Sequence, residues 1–230
     1  MSPDPVNARP AATILLLRER DGLEVLLVTR TSRGFFGGLT AFPGGGVEPS
    51  DDSELARTVV VGSSDDHVYR VAALRELAEE TGIALTTSGP KVAPEGKGMA
   101  LLTTLSRTGV VLDGEAPVMV SRWVTPDFAP KRFDTMFFLA DGRGAPDVRL
   151  DVDELVDHMW VKPGKALDMQ RDDRLQMFTP TIAHLRWLAS ESNLEEALDS
   201  ARGADGRSLV EPVVMEDGSI VPVLMPGDGR

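Results

Sequence analysis

The sequence predicts a layered domain of mixed α/β or α+β class. Three observations carry that expectation. Two β-rich runs open the chain, one helical segment crowded with glutamates follows, and further strand-like runs then lead into a second helix. Elements in that order bury their apolar faces by stacking helices on a sheet. At 230 residues, 42% hydrophobic and 26% charged, the chain suits one such domain with appendages.

Residues 1–11 read as a flexible, Pro-bearing leader. ATILLLRE (12–19) and LEVLLVTR (23–30) are β-rich, and Arg20-Asp21-Gly22 between them suits a hairpin turn. GFFGGLTAFPGGG (34–46) is too rich in glycine for a helix and too apolar for a loose linker. It predicts a loop and short strand whose backbone approaches something closely. Residues 47–66 are acidic and Ser-rich, with only a short apolar patch at 59–61.

From about Asp66 the pattern turns helical, with Val68, Val71, Leu74, Leu77 and Ala78 tracing an apolar stripe. Asp65 and Asp66 suit its start, and Gly82 suits the position just past its end. SRWVTP (121–126), RFDTMFFLA (132–140) and DHMWVKP (157–163) are strand-like. TPTIAHLRWLASES (179–192) carries Pro near its start and apolar residues at helical spacing. The domain is expected to span 12–192, leaving 193–230 as a C-terminal extension with a hairpin turning at Asp217-Gly218.

The charge balance, 36 acidic against 24 basic residues for a net −12, disfavours nucleic acid and anionic membranes as partners. With no cysteine, disulfides and thiolate metal sites are excluded. No stretch approaches the roughly 18 apolar residues of a membrane span. MSPDPVNARP lacks the apolar core of a secretory signal, so a cytoplasmic location is the default expectation.

The chemical signal is RELAEETGI (75–83). Glu76, Glu79 and Glu80 stand at i, i+3 and i+4, where side chains share a helix face and like charges repel. They lie off the apolar stripe and are expected to face away from whatever the helix packs on. Arg75, four residues before Glu79, can pair with it. The upstream Gly44-Gly45-Gly46 can bring a carbonyl against the same site. Carboxylates plus a carbonyl make an all-oxygen donor set, suited to Mg²⁺ or Mn²⁺ rather than zinc.

PGGGVEPSD (43–51) followed by RELAEETGI resembles the Nudix box, G-x5-E-x7-R-E-U-x-E-E-x-G-U with U aliphatic. Gly45, Arg75, Glu76, Leu77, Glu79, Glu80, Gly82 and Ile83 match. Asp51 takes the place of the first glutamate, and 23 residues separate it from Arg75 where the family has seven. An insertion at about 52–66 accounts for the difference, expected as a surface loop that absorbs extra residues at little entropic cost. The resemblance implies an α/β/α sandwich with a mixed sheet. The interrupted box is similar to that of peroxisomal coenzyme A diphosphatases. Their coenzyme A motif is partly met, by Leu27, Thr29, Arg30, Gly38 and Phe42-Pro43-Gly44-Gly45, while Gly34 holds the place of its second arginine, with Arg33 one residue off.

The resemblance further implies hydrolysis of a nucleoside diphosphate linked to another moiety, with coenzyme A or acyl-coenzyme A as first expectation. ADP-ribose or a dinucleotide, and a non-catalytic nucleotide-sensing module, are the alternatives. Glu76, Glu79, Glu80 and the Gly45 carbonyl become the expected metal ligands, Arg75 the residue orienting them, and Glu76 the general base. Arg30, Arg33, Arg132 and Asp134 are candidate substrate contacts, the Arg132–Asp134 pair being equally readable as a surface ion pair. Glu154 reads as a surface residue that could also reach the site. Phe35, Phe36 and the three tryptophans read as packing, and His67, His158 and His184 show no metal-ligand spacing. Many relatives are dimers, so a homodimer is expected.

Overall fold

The computed structural model describes residues 7–32, 37–62, 65–127, 129 and 131–203, with the strand backbones at 209–210, 213–214 and 220–221. The first two strands, β1 (Arg9–Glu19) and β2 (Leu23–Arg30), form the expected antiparallel hairpin, with Leu17 opposite Val25. Asp21 and Gly22 close it at positive φ.

The pairing does not run the length of β1. Toward its start, β1 leaves β2 and pairs instead with β4 (Gly44–Gly46), Gly44 lying opposite Thr13 and Gly46 opposite Ala11. Likewise β3 (Thr40–Ala41) pairs with the far end of β2. The glycine segment therefore fills a fork between two diverging strands.

A 3₁₀ turn (Pro49–Asp52) leads into α1 (Glu54–Val59) and β5 (Val60–Val61). The predicted insertion is thus partly ordered secondary structure rather than a simple surface loop. Its Ala56, Val59 and Val60 are buried in the main core, so two residues of the apolar patch at 59–61 pack while Val61 stays exposed. The acidic helix follows as α2 (His67–Thr81), stopped by Gly82 in the left-handed conformation at φ 69°.

Next come β6 (Ile83–Thr86), β7 (Gly89–Val92), α3 (Met99–Thr108) and β8 (Leu112–Asp113). Strands β5, β8, β6 and β7 make a small second sheet in that order. The chain then returns through β9 (Val118–Val124), β10 (Phe133–Asp141), β11 (Leu155–Val161), α4 (Pro163–Arg171), α5 (Thr179–Leu188) and α6 (Leu194–Gly203). Short strands β12 (Leu209–Val210), β13 (Val213–Val214) and β14 (Ile220–Val221) follow, β13 and β14 pairing antiparallel, while the predicted turn at Asp217-Gly218 lies outside the described residues.

The main sheet runs β11-β2-β1-β10-β9-β12 and is mixed, β1 lying parallel to β10 and β12 parallel to β9. Alternation along β1 divides the core. Ala12, Ile14 and Leu16 face α2, α3 and the small sheet, while Leu15 and Leu17 face α5 and α6. Helices on both faces of a mixed sheet make the expected α/β/α arrangement. Residues 194–203, in the C-terminal segment, join that second core through Leu194, Ala197, Leu198 and Ala201. Among the described residues, no helix is long and apolar enough to cross a membrane.

Candidate functional site

The glutamates of α2 do not face open water. Glu80 is 1% exposed, and the side chains of Glu76 and Glu79 are 13% and 9% exposed. They point at the glycine fork, and Arg75 organises them from beneath. Its Nε and one Nη donate to the two oxygens of Asp51 at 2.8 and 3.0 Å, and the same Nη donates to the Gly46 carbonyl at 2.9 Å. The other Nη donates to Glu76 at 2.8 Å and reaches Glu79 at 3.4 Å. One fully buried guanidinium thus ties the box's two halves across the insertion, and Asp51 is its main partner. Glu79, the partner expected from sequence spacing, is the more distant one.

Glu80 is held differently. Its Oε2 accepts from the Gly44 amide at 2.9 Å, and its Oε1 accepts from Arg30 at 2.9 Å. The same Arg30 nitrogen donates to the Gly44 carbonyl at 2.6 Å. Gly45 is needed for close approach, because a Cβ there would sit 2.4 Å from Glu76 Oε1. Glu79 Oε1 accepts from the Gly98 amide at 2.7 Å, at the start of α3.

Burial sets the electrostatics. Desolvation pushes Glu76 up to about 7 despite Arg75, and Glu80 up to about 8 despite Arg30. Burial raises Glu79 as well.

These groups open onto a cavity of about 680 Å³. Its acidic end is lined by Glu48, Glu76, Glu79 and Glu154, with Gly44, Gly45 and Gly46 beside them. The other end is apolar and aromatic, walled by Phe42, Trp123, Phe133, Phe137 and Phe178. Behind that wall lies His184, fully buried and stacked on Phe137 at 4.4 Å. The Pro180 carbonyl can only accept, so His184 Nδ1 donates to it at 2.6 Å. Burial lowers His184 to about 4, keeping it neutral, so Nε2 accepts from the Ser121 hydroxyl at 2.8 Å. Ser121 in turn accepts from Trp123 Nε1 at 3.1 Å. The network fixes one cavity wall. Only packing was expected of the tryptophan, and nothing in its spacing signals the bond.

The predicted site residues divide. Arg30, Gly45, Glu76 and Glu79 line the cavity. Glu80 and Arg75 lie just beneath it. Glu80 sits apart from the other two glutamates, and among the described residues no three acidic or histidine side chains are grouped to hold a metal ion. Gly44 and Arg30 each donate to one Glu80 oxygen. Of the predicted donors, two carboxylates and a glycine backbone line the cavity, with Glu48 and Glu154 beside them. That hard, all-oxygen set still fits Mg²⁺, which is commonly bound through one or two carboxylates with waters and substrate phosphates completing the shell.

Arg132 and Asp134 are not cavity-lining residues. On β10, Phe133, Thr135 and Phe137 line the cavity, so the even-numbered side chains point to the opposite face. Nor do the two pair with each other as a surface ion pair. Asp134 pairs with Arg122 at 2.6 Å, while Arg132 binds the Thr125 carbonyl and Asp127. Arg33, Phe35 and Phe36 lie outside the described residues. Sequence reasoning missed Glu48 and Lys97, although Lys97 stands between Gly96 and Gly98, both at positive φ, which marks a close backbone approach.

Residues 7–181 match the family model of the NUDIX domain. The chain is 28% identical over 216 residues to acyl-coenzyme A diphosphatase NUDT19 of Homo sapiens, covering 82% of this chain and 56% of that protein. It is 25% identical to the Gallus gallus protein of the same name, over 99% of this chain and 81% of the other. The chain thus spans little more than half the length of the human relative. A solved NUDIX hydrolase from Alicyclobacillus acidocaldarius superposes with a TM-score of 0.73 at 33% identity, covering 84% of this chain and 96% of the other.

Proposed function

From the premise that the chain belongs to the NUDIX domain family, we propose that it is a metal-dependent hydrolase of nucleoside diphosphate conjugates. Coenzyme A or an acyl-coenzyme A is the substrate it fits first. The observation that carries this reading is the two-ended cavity. Paired carboxylates and glycine backbone occupy one end, and an aromatic wall the other, as a diphosphate bearing an apolar or aromatic group requires. The names of the NUDT19 relatives support the acyl-coenzyme A choice.

Glu76, Glu79 and the Gly45 carbonyl would hold Mg²⁺ or Mn²⁺. The bound ion supplies Lewis acidity, neutralising diphosphate oxygens and acidifying water. Arg75 orients both carboxylates from below. Glu80 acts through Gly44 and Arg30, fixing the glycine strand and aiming the arginine at the cavity. Glu76, which burial pushes up to about 7, is suited to accept the proton of the attacking water near neutral pH. Water adds to one phosphorus and a phosphate ester departs with the bridging oxygen.

The test is a panel of coenzyme A, acyl-coenzyme A, ADP-ribose and dinucleotides in Mg²⁺ or Mn²⁺, with products resolved by mass. Cleavage of the coenzyme A members to 3′,5′-ADP and a phosphopantetheine is expected. Preference for ADP-ribose or a dinucleotide would move the substrate within the class. Binding without cleavage of any member would favour a sensing module instead.

A further inference from the structure

Two cations line the acidic end of the cavity, Arg30 and Lys97, and one carboxylate stands between them. Glu154 Oε1 accepts from Lys97 Nζ at 2.8 Å, and its Oε2 faces an Arg30 Nη at 3.9 Å. The Arg30 nitrogen facing Glu154 is not the one that binds Glu80 and Gly44. Arg30 is therefore anchored by one arm and presents the other. Lys97 also pairs with Asp151, and the turn carrying Asp151 and Glu154 is tied to the Glu80 and Thr31 backbones.

We propose that Arg30 and Lys97 form a phosphoryl-binding subsite, and that Glu154 is a resident anion which the diphosphate of the substrate displaces. The carboxylate holds the place between two cations that a phosphoryl group, with more charge and more acceptor oxygens, is better made to fill. Displacement is cheap because the Glu154 and Lys97 side chains are about half exposed, 47% and 50%, so their pairing is weakened by solvent. Glu154 in turn screens the subsite against weakly charged anions, which cannot outcompete a tethered carboxylate.

The inference rests on the diphosphate reading of the cavity but is tested without turnover. The probe is α,β-methylene-ADP, titrated calorimetrically into the full chain in EDTA at low salt. Glu154→Gln is expected to bind about 5- to 10-fold tighter than wild type, and Lys97→Gln at least about 5-fold weaker. Asp153→Asn, the same charge change one residue away, controls for general electrostatics and is expected to match wild type. Circular dichroism melts confirm that each variant folds. Unchanged or weaker binding by Glu154→Gln, equal tightening by Asp153→Asn, or unaltered binding by Lys97→Gln would each overturn the subsite. Failure of the hydrolysis panel with these shifts intact would instead sink the catalytic reading alone.

Discussion

Arg75 grips Asp51 with two parallel hydrogen bonds across 24 positions of sequence, both side chains buried to within 1%. The pair closes the base of the inserted segment and holds the glycine strand to α2. Removing one partner of a buried ion pair costs about 3–5 kcal/mol. Asp51→Ala should therefore lower unfolding free energy by roughly that amount in a urea titration. An unchanged midpoint would show that the pair does not hold the insertion in place.

Adjacent glycines should fail differently. A Cβ at Gly44 would meet the Ala12 carbonyl at 2.5 Å and Thr13 Cα at 2.7 Å, backbone atoms that cannot yield. For a Cβ at Gly45 the three nearest atoms all belong to the end of the Glu76 side chain, which can move. Gly44→Ala is expected to lower the melting temperature, whereas Gly45→Ala keeps it within a few degrees and cuts kcat about 100-fold by displacing a carboxylate. Melting curves and steady-state kinetics on the two variants separate these outcomes.

Stability should depend on pH in a direction set by the buried glutamates. A carboxyl whose folded pKa is raised binds its proton more tightly when folded. Its contribution is complete below about pH 4 and is lost as pH rises through the folded value. Glu76 and Glu80, at about 7 and about 8, place that loss between mildly acidic and mildly alkaline pH. Without divalent ions the melting temperature should fall from pH 5 to pH 9. Mg²⁺ or Mn²⁺ should recover more of it at pH 8 than at pH 5. A flat profile would mean that the carboxyls are not perturbed.

The cavity wall gives an opposite acid response. A buried neutral histidine with a depressed pKa stabilises above its unfolded value, and that stability is lost as pH falls through the folded one. For His184, lowered to about 4, the loss amounts to roughly 3 kcal/mol. Between pH 7 and pH 4, wild type should lose that much relative to His184→Gln, which does not titrate. Equal losses in both proteins would show that His184 protonates freely.

Long elements with strong periods were legible in the sequence. The β1–β2 hairpin and α2 with its Gly82 stop follow from β-rich composition and helical spacing. Strands β9 to β11 show as strand-like runs, though the expected 121–126 and 157–163 run past the strand ends at Val124 and Val161. The small sheet was not legible, because β5 and β8 are two residues long and carry no period. Site residues divide on similar grounds. Glu76 and Glu79 follow from helix geometry, whereas the burial of Glu80 follows from the fork between β1 and β2, a tertiary feature. Arg132 and Asp134 lie on the face of β10 opposite the cavity-lining Phe133, Thr135 and Phe137, a parity that one sequence alone does not fix. Asp51 needed the third dimension to reveal its partner.

The account turns on the acidic end of the cavity holding a divalent cation between Glu76, Glu79 and the glycine strand. Mn²⁺ binding followed by electron paramagnetic resonance tests this most directly, comparing wild type with Glu76→Gln and Glu79→Gln at pH 8. Saturable binding by wild type is predicted, weakened about 10-fold or more in each variant while both still fold. Absence of binding by wild type, or equal affinity in all three proteins, would contradict it.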